Sequence, residues 1–460
     1  MSRFIDVAEL RALARLAIPI ALIQVGLMFM GVVDTMMVGR VSREALAAVA
    51  LGNFYYFAAA IFGMGVLLAL DPVISQAVGA QDDDAIARAV QRGFVISLFL
   101  TAVASLVLPT ARPVLTLLRQ PAEVVPLAHV YVLGTLPGVA PFFFFVVLRQ
   151  TLQAMHQTRA IVITIIVANF ANVLVNWVLI FGKLGMPALG VLGAAIATSV
   201  SRWLMFALLA LLAWPLLSRH LDPWRRESFA TRPMLRMIRI GAPIGLAYFF
   251  EYATFGTIAL LMGLLGTVQV AAHQIAINLA SLTFMVPMGI SAAATVLVGN
   301  AIGREDPPGA RRAAKAALVA GAGFMSMSAA VFLTAPHFLA GLYTSDAGVL
   351  AIAVTLIPIA GLFQVFDGTQ VVGAGVLRGA GETHAPMVIA LLGFWLIGMP
   401  VSVYLGLYTP MGARGLWWGF VFGLAAVAAF LLLRIRYRFA RDLRRLTIEE
   451  QHLPAFDVAD

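Results

Sequence analysis

The chain has 460 residues, of which 61% are hydrophobic and only 12% are charged, and it contains no cysteine. A soluble domain carries about 25% charged residues, so this composition indicates a membrane protein. The lack of cysteine excludes disulfides, thiol nucleophiles and thiolate metal sites. The formal charge of +9 would indicate nucleic-acid binding only if basic residues in cytoplasmic loops could not account for it.

From the N-terminus onward, apolar segments long enough to cross a bilayer recur along the whole chain. They predict an all-α polytopic membrane protein rather than a β-barrel. The N-terminal segment is not expected to be a removable signal peptide. The twelve predicted spans lie near residues 13–38, 46–78, 93–111, 126–148, 160–182, 187–217, 237–264, 270–302, 314–335, 346–376, 386–408 and 414–436. Internal prolines predict bends, at Pro19, Pro72, Pro243, Pro287, Pro358 and Pro400.

Lysine and arginine are distributed unequally between the two sides of the membrane that these spans define. The side with the N-terminus has 24 of the 31 basic residues, the other side has 6, and Arg202 lies within a span. Because cytoplasmic loops are enriched in basic residues, both termini are predicted in the cytoplasm. The same asymmetry explains the positive charge without nucleic acid.

The second half of the chain repeats the first at a shift of 224 residues. "RLAIPIAL" from Arg15 aligns with "RIGAPIGL" from Arg239, and Gly79 and Asp82 align with Gly303 and Asp306. Each half has six spans, so a pseudo-two-fold axis along the membrane normal should relate them. The predicted divisions are an N-lobe at 1–217, a cytoplasmic linker at 218–236, a C-lobe at 237–437 and a cytoplasmic tail at 438–460.

Four carboxylates lie within predicted spans: Asp34, Asp71, Glu251 and Asp367. An ionised carboxylate at a span centre costs about 2.5–3.5 kcal/mol. For Asp34, Glu251 and Asp367, no base lies three or four residues away, so these groups should be protonated or hold a cation. The alternative for Asp34 is contact with interfacial water. Asp71 precedes Pro72, and a structural hydrogen bond to backbone at the bend is favoured there.

Neutral polar residues form a second group. In "NFANVLVNWVLIFG" the asparagines Asn169, Asn172 and Asn176 share one face of the fifth span, and Thr198 and Ser199 lie on the sixth. With a carboxylate they could bind a hard cation, although interhelical hydrogen bonding is the alternative. Asn278 could support the carboxylates of the second half.

Aromatic residues near the carboxylates suit flat organic cations, although lipid contact and packing explain many of them. Candidates for substrate contact are Tyr55, Phe142, Tyr248, Phe249 and Phe363. His273 should be packed and His384 should lie in a loop. No phosphate-binding GxxxxGK[ST] loop is present, so transport would depend on an ion gradient, and no HExxH helix suggests an enzyme.

Several motifs, taken together with the two six-span repeats, resemble the MATE multidrug and toxic-compound exporters, and most closely the NorM-like branch. They are "VVDTMMVGRVSREALAAVALG" from Val32, "DPVISQAVGA" from Asp71, "FFEYATF" from Phe249 and "QVVGAGVLRGAGET" from Gln370. The resemblance implies two six-helix lobes in a V, which export cationic drugs in exchange for Na⁺ or H⁺.

The resemblance also implies roles for individual residues. Glu251 and Asp367 match the carboxylates proposed for cation binding in the C-lobe. The matching N-lobe site, for Na⁺ or a proton, comprises Asp34, Asn172, Asn176, Ala194 and Thr198. Phe363 departs from the family, whose NorM-like members often have tyrosine at that position, so a Na⁺ ligand is missing there.

The sequence therefore predicts a secondary multidrug antiporter of the bacterial inner membrane. It is expected to be neither an enzyme nor a cofactor-binding protein, apart from its coupling ion, Na⁺ or H⁺. Its expected partners are the lipid bilayer and small organic cations but no nucleic acid, and a monomer is expected. The alternative function is a flippase for a lipid-linked oligosaccharide, although such a cleft should contain bases for pyrophosphate where this sequence has acids.

Overall fold

A computed structural model describes residues 7–449. Within that range the chain is helical, has no strand, and contains twelve helices long and apolar enough to span a membrane. They are α1 Val7–Val38, α2 Arg43–Gly79, α3 Asp83–Leu117, α4 Val125–Ala154, α5 Thr158–Phe181, α6 Val191–Leu221, α7 Thr231–Leu265, α8 Thr267–Gly303, α9 Pro307–Thr334, α10 Ala347–Gly379, α11 His384–Leu407 and α12 Ala413–Phe439. The predicted all-α class with twelve spans is confirmed. Residues 450–460 of the predicted tail lie outside the described residues.

Four of the spans are interrupted rather than regular. In α2 the helix breaks between Leu67 and Leu70, just before Pro72, and in α11 a π-helical turn at Leu392–Gly398 precedes Pro400. A short 3₁₀ turn interrupts α3 at Leu108–Thr110, and another interrupts α4 at Leu136–Gly138. Because proline lacks the backbone donor, a break on its N-terminal side is the expected response. The other four prolines predicted to bend helices lie inside continuous ones.

The helices begin where the sequence supplies caps. Asp82 accepts a hydrogen bond from the amide of Ala85 at the start of α3, and Asp306 accepts one from Gly309 at the start of α9. These two aspartates are 224 residues apart and serve the same function. An N-cap side chain satisfies an amide that the helix itself cannot pair.

Glycine contacts between the first six helices (the N-lobe) and the last six (the C-lobe) show the same symmetry. An added methyl group at Gly79 of α2 would overlap the backbone of Asn300 on α8. One at Gly303 of α8 would likewise overlap the backbone of Gln76 on α2. At the shift of 224 residues Gly79 corresponds to Gly303 and Gln76 to Asn300, so each contact is the symmetry equivalent of the other. This reciprocity confirms the pseudo-two-fold relation.

Helix α1 belongs to the cores of both lobes. The residues of its first half that face the C-lobe are buried among helices α8, α9, α10 and α12, and they include Leu13, Leu16 and Ile20. Its second half packs against α5, and Met30 is buried in that N-lobe cluster. The helix therefore joins the lobes through apolar burial.

One end of the bundle, which we call the terminal end, comprises the start of α1, the α2–α3, α4–α5, α6–α7, α8–α9 and α10–α11 connections, and the end of α12. Glu9 of α1 pairs with Arg312 of α9 there, at 3.2 Å. The two lobes are in direct polar contact at this end. Gln76 Nε2 donates to the carbonyl of Gly379 at 2.9 Å, and Asn300 Nδ2 lies 2.8 Å from His156 Nε2. Partial burial, together with the nearby Arg304, lowers the pKa of His156, so its neutral ring can accept this hydrogen bond.

The segment 440–449 continues from α12 in the C-lobe onto the N-lobe. The amide of Leu446 donates to Gln76 Oε1, and Arg445 pairs with Asp82 at 2.8 Å. Glu449 lies between Arg88 and Arg92 of α3, at 2.9 and 2.7 Å. The segment therefore connects the two lobes at the terminal end.

The connection between the lobes is shorter than the linker predicted at 218–236. Helix α6 continues to Leu221 and α7 begins at Thr231, so residues 222–230 connect the lobes, with a 3₁₀ turn at Arg226–Phe229. Arg225 pairs with Asp84 of α3 at 2.6 Å, which fixes the connection against the N-lobe.

Candidate functional site

Asp34 is the centre of a buried polar cluster in the N-lobe. Its side chain is 3% exposed. Asn176 Nδ2 of α5 donates to one carboxylate oxygen at 2.5 Å, and Thr198 Oγ1 of α6 lies 3.0 Å from the other. Asn176 Nδ2 also lies 3.1 Å from Asn172 Oδ1. The structure therefore brings together side chains of three helices, and the alternative that Asp34 reaches interfacial water does not hold in this conformation.

Helix geometry explains how these residues converge. Asn172 and Asn176 are four residues apart and face α1, while Thr198 lies one turn after Ala194, whose carbonyl its hydroxyl contacts at 2.9 Å. Asn169 turns to α1 at another level and donates to the carbonyl of Gly26. It thus joins the helices without entering the Asp34 cluster.

The N-lobe cluster has oxygen atoms suited to a hard cation. Asn176 Oδ1 is buried and has no hydrogen-bond partner within the described part of the chain. With Asp34, Asn172 and Thr198 it makes a set of one carboxylate and neutral oxygens, which is the donor chemistry that Na⁺ accepts. No group of three or more His, Asp or Glu side chains suited to a metal occurs within residues 7–449, so a cation here would depend on the neutral oxygens.

An arginine lies beside this cluster. Arg202, one turn beyond Thr198 on α6, acts electrostatically on Asp34. Its guanidinium carbon lies 4.1 Å from the ring centroid of Tyr56 and 5.4 Å from that of Phe142. Phe142, a predicted substrate contact, therefore stacks on a cation that the protein itself supplies.

Glu251 and Asp367 form an acidic pair in the C-lobe. Gln370 Nε2 lies 3.2 Å from a Glu251 oxygen and 3.4 Å from an Asp367 oxygen, so a single amide bridges α7 and α10. Asp367 is 5% exposed, and no lysine or arginine lies within 4.0 Å of either carboxylate among the described residues. Two adjacent carboxylates without a base require a proton or a cation between them.

Asn278 contacts neither carboxylate of the pair by hydrogen bonding within the described residues. Its amide oxygen accepts from Gln274, one turn earlier on α8. The predicted support of the two carboxylates by Asn278 is therefore not seen as a hydrogen bond, and Gln370 contacts both instead. That residue is three positions after Asp367, so helical spacing alone could have identified it.

A small cavity of about 60 Å³ extends from Glu251 toward the terminal end. Tyr248, one turn before Glu251, lines it, as do Arg378 and Glu382. The Arg378 guanidinium is 7% exposed and its Nη1 lies 3.4 Å from the Tyr248 hydroxyl. Of the predicted aromatic contacts, Tyr248 is thus the one beside the acidic pair.

Asp71 has buried bases as partners, contrary to the expectation that only Arg202 is a base inside the membrane. Arg378 and Arg149 act on its carboxylate electrostatically, and Gln150 Nε2 donates to it at 2.6 Å. The predicted spans end at 148 and 376 and therefore place Arg149 and Arg378 in loops, whereas the two arginines lie in α4 and α10 and are 8% and 7% exposed. The expected side-chain hydrogen bond to the backbone at the bend is replaced by the one from Gln150.

The remaining aromatic candidates do not converge on one surface. The Tyr55 hydroxyl lies 2.8 Å from Thr110 Oγ1, Phe249 is 39% exposed, and Phe363 is 1% exposed. Phe363 packs among Phe255, Trp417 and Phe420. In this conformation its ring stabilises the C-lobe core and is shielded from any substrate. His273 is 3% exposed and packs near Trp417, and His384 begins α11.

Comparison with known proteins gives matches along almost the whole chain. A family model described as MatE matches residues 19–178 and 243–404. The chain is 38% identical over 437 residues to a probable multidrug resistance protein NorM of Mesorhizobium japonicum, and the match covers 93% of each chain. It is also 38% identical over 439 residues to the multidrug resistance protein NorM of Burkholderia vietnamiensis, over 92% of this chain and 93% of that one.

Solved structures share the fold. The eukaryotic MATE transporter AtDTX14 superposes with a TM-score of 0.87 at 24% identity, over 94% of this chain and 98% of that one. An outward-facing multidrug resistance MATE family transporter of the MOP superfamily superposes with a TM-score of 0.84 at 21% identity, over 96% and 99% of the chains. At this level of identity the two superpositions establish the twelve-helix architecture, and the curated relatives together with the family model establish the family. The chain is a multi-pass membrane protein that belongs to the MATE family of transporters, in its NorM-like branch.

Proposed function

We propose that the protein is a secondary active antiporter that exports organic cations in exchange for Na⁺ or H⁺. The observation that carries this proposal is the buried pair of Glu251 and Asp367, which share the amide of Gln370 and have no basic partner among the described residues. Such a pair is stable when it takes up a proton or a cation. The names of the NorM relatives support multidrug substrates and favour them over a lipid-linked oligosaccharide.

Coupling requires that the ion and the drug prefer different conformations. A ligand shifts an equilibrium only by its differential affinity for the two states. We propose that the coupling ion, bound at the acidic pair or at Asp34, stabilises the conformation that releases drug outward. Organic cation arriving from the other side then competes with the ion for the same negative charge, and rocking of the two lobes exposes the site to each side in turn.

Removal of the acidic charge tests this mechanism. Purified protein in proteoliposomes is supplied separately with a Na⁺ gradient and a pH gradient, and ethidium transport is followed by fluorescence. We expect Glu251→Gln and Asp367→Asn each to reduce ion-driven transport to the level of empty vesicles, while Glu123→Gln, which alters an exposed carboxylate, keeps the wild-type rate. The gradient that drives the wild type identifies the ion, and wild-type rates in both acidic variants would contradict the assignment.

We also propose that the protein functions as a monomer in the bacterial inner membrane, with both termini in the cytoplasm. The chain contains no cysteine, so a single introduced cysteine reports on one position. In intact cells an impermeant maleimide should label Lys183→Cys and leave Arg219→Cys unlabelled until the cells are lysed. The reverse labelling pattern would show the opposite orientation.

A further inference from the structure

A basic pocket of about 740 Å³ lies at the terminal end, between the α10–α11 connection and the end of α12. Four arginines line it: Arg434, Arg438, Arg441 and Arg444. Glu382 is the one carboxylate among its lining residues, and it pairs with Arg434 and Arg438. The arginines of the lining outnumber its carboxylate by three, and this excess positive charge selects for an anion.

Two of these arginines are free to bind a ligand. Arg441 and Arg444 form no ion pair within the described part of the chain, and both are exposed. The Arg441 guanidinium carbon lies 4.0 Å from the ring centroid of Tyr437, which holds the group at the pocket wall. Guanidinium groups bind phosphate oxygens through paired N–H donors, so phosphate is the anion that this wall favours.

The start of α11 adds positive potential to the same pocket. His384 is the first residue of that helix, and the preceding Thr383 makes no side-chain capping hydrogen bond. The first amides of a helix lack intrahelical acceptors and form the positive end of its dipole. Both His384 and Ala385 line the pocket, so the start of α11 borders the same space as the arginines.

An apolar groove of about 400 Å³ adjoins the pocket. Arg434 and Tyr437 line both, so the two concavities are continuous. The other groove residues are Ile389, Leu392, Phe430 and Leu433 on α11 and α12. Leu433 is 61% exposed and Leu392 is 44% exposed, so the groove faces lipid. A tyrosine at the junction of a polar and an apolar surface is typical of the membrane interface.

We propose that this composite site binds an anionic phospholipid, with its phosphate in the arginine pocket and an acyl chain in the groove. A free phosphate would use the pocket alone and leave the adjoining groove without a role. A zwitterionic lipid would use the groove but has no net charge for the pocket. The bound lipid would link the α10–α11 connection to α12, because the two sides of the site come from these elements.

Native mass spectrometry of the full chain in mild detergent tests the proposal independently of transport. The protein is titrated with dioleoyl phosphatidylglycerol, dioleoyl phosphatidylcholine or glycerol phosphate. We expect phosphatidylglycerol to bind at the lowest concentration. Arg441→Gln combined with Arg444→Gln should weaken it about 30-fold, because two basic residues contribute about 1 kcal/mol each. The matched control is Arg219→Gln with Arg226→Gln, which removes the same charge from exposed positions of the terminal end and should leave binding unchanged.

A second pair of variants tests the groove. Leu433→Trp fills it and should weaken phosphatidylglycerol binding without affecting glycerol phosphate. Leu432→Trp, at an exposed position outside the groove lining, should affect neither. The proposal is overturned if phosphatidylcholine binds as tightly as phosphatidylglycerol, if glycerol phosphate competes with the lipid at equal concentration, or if the arginine variant binds like the wild type.

Discussion

The hydroxyl of Thr198 connects two helices in the N-lobe cluster around Asp34. Its Oγ1 lies 3.0 Å from Asp34 and 2.9 Å from the Ala194 carbonyl, so it connects α6 to α1. Asn176 reaches the other oxygen of the same carboxylate from α5. Each of these two contacts stabilises a negative or cation-bound Asp34, because hydrogen bonds to charged groups contribute about 1.5–3 kcal/mol.

We therefore predict that Thr198→Val weakens binding of the coupling ion by about tenfold or more, since it removes one such hydrogen bond while nearly preserving volume. The measurement is the ion concentration that gives half-maximal ethidium transport in proteoliposomes. Thr101→Val is the matched control, because its hydroxyl contacts only the carbonyl of Ser97 on its own helix. An unchanged ion dependence in Thr198→Val would contradict a role for the Thr198–Asp34 contact in binding the coupling ion.

The sequence could identify part of this cluster. Spacings of three and four predict that Asn172 and Asn176 share a face, and the absence of a nearby base singles out Asp34. That Thr198 of α6 meets them depends on helix packing, which spacing within one helix does not encode. Arg149 and Arg378 were misplaced for a physical reason: residues near helix ends were counted as loops, although both are buried beside Asp71.

At the level of helices, close approach depends on glycine. Gly245 of α7 lies against α2, and an added Cβ would come 2.5 Å from the carbonyl oxygen of Phe62. Gly65 of α2 faces Gly245 in turn, and its own added Cβ would overlap that residue's backbone. Inside a membrane the hydrophobic effect does not drive helices together. Their association depends instead on close packing, which small residues allow by letting the backbones approach. The α2–α7 contact therefore tolerates no side chain at this level.

We predict that Gly245→Ala separates α2 from α7 and shifts the protein away from the conformation closed at the terminal end. Spin labels on Arg159→Cys and Arg304→Cys, one on each lobe, should report a longer mean distance by pulsed electron paramagnetic resonance. Gly263→Ala on the same helix is the control, since an added Cβ there meets nothing within 4 Å. Equal distances in the two variants would show that this contact does not hold the lobes together.

The segment 440–449 is a second element that connects the lobes, and its attachment should depend on pH. Partial burial raises the pKa of Glu449, but the hydrogen bonds and charges of Arg92 and Arg88 outweigh it, and the pKa lies below its ordinary value of 4.5. A group with a lowered folded-state pKa stabilises the folded state above its unfolded pKa, and this contribution is lost as pH falls through the folded pKa. Asp82, which pairs with Arg445, has a lowered pKa too.

We predict that the segment is docked at pH 7 and detaches in acid, as the pH falls through the lowered pKa values of Glu449 and Asp82 and these carboxylates become protonated. A spin label on Thr447→Cys should be immobile at pH 7 and mobile in acid. With Glu449→Gln added, the label should be more mobile at pH 7 and respond less to acid. Asp442→Asn, at an exposed position, should behave like the wild type. Mobility that does not change with pH would contradict the role of these ion pairs.

Helix boundaries were the least predictable feature of the elements. The chain is already helical at Val7, the first described residue, rather than from near 13, and α7 begins at Thr231 rather than near 237. Hydropathy detects where a helix enters lipid, whereas hydrogen bonding continues the helix through residues such as Arg232 and Arg236. The path of 440–449 was also not predictable, because its contacts with Gln76 and Arg88 join residues more than 300 positions apart.

At the scale of the whole molecule, the repeat predicts the symmetric framework but not the positions of the sites. Asp34 corresponds to Ile258 at the shift of 224, and Glu251 corresponds to Leu27. The acidic clusters therefore lie at non-equivalent positions of two similar lobes. Contacts that the symmetry does relate, such as Gly79 with Asn300 and Gly303 with Gln76, lie instead at the closed terminal end. The repeat therefore relates the helices and their close contacts between the lobes, but it does not relate the acidic clusters.

If transport requires this end to open, a covalent link across it should stop transport. His156 of the N-lobe and Asn300 of the C-lobe lie 2.8 Å apart at their side-chain nitrogens. We predict that a short bifunctional thiol reagent joins His156→Cys to Asn300→Cys within one chain and abolishes ethidium transport until a reductant cleaves the link. Asp84→Cys with Arg225→Cys, which joins α3 to the linker, is the control and should transport normally when joined. Each single-cysteine variant should also be insensitive to the reagent. Full transport by a completely linked His156→Cys/Asn300→Cys protein would mean that the terminal end stays closed throughout the cycle and that the lobes do not rock about it.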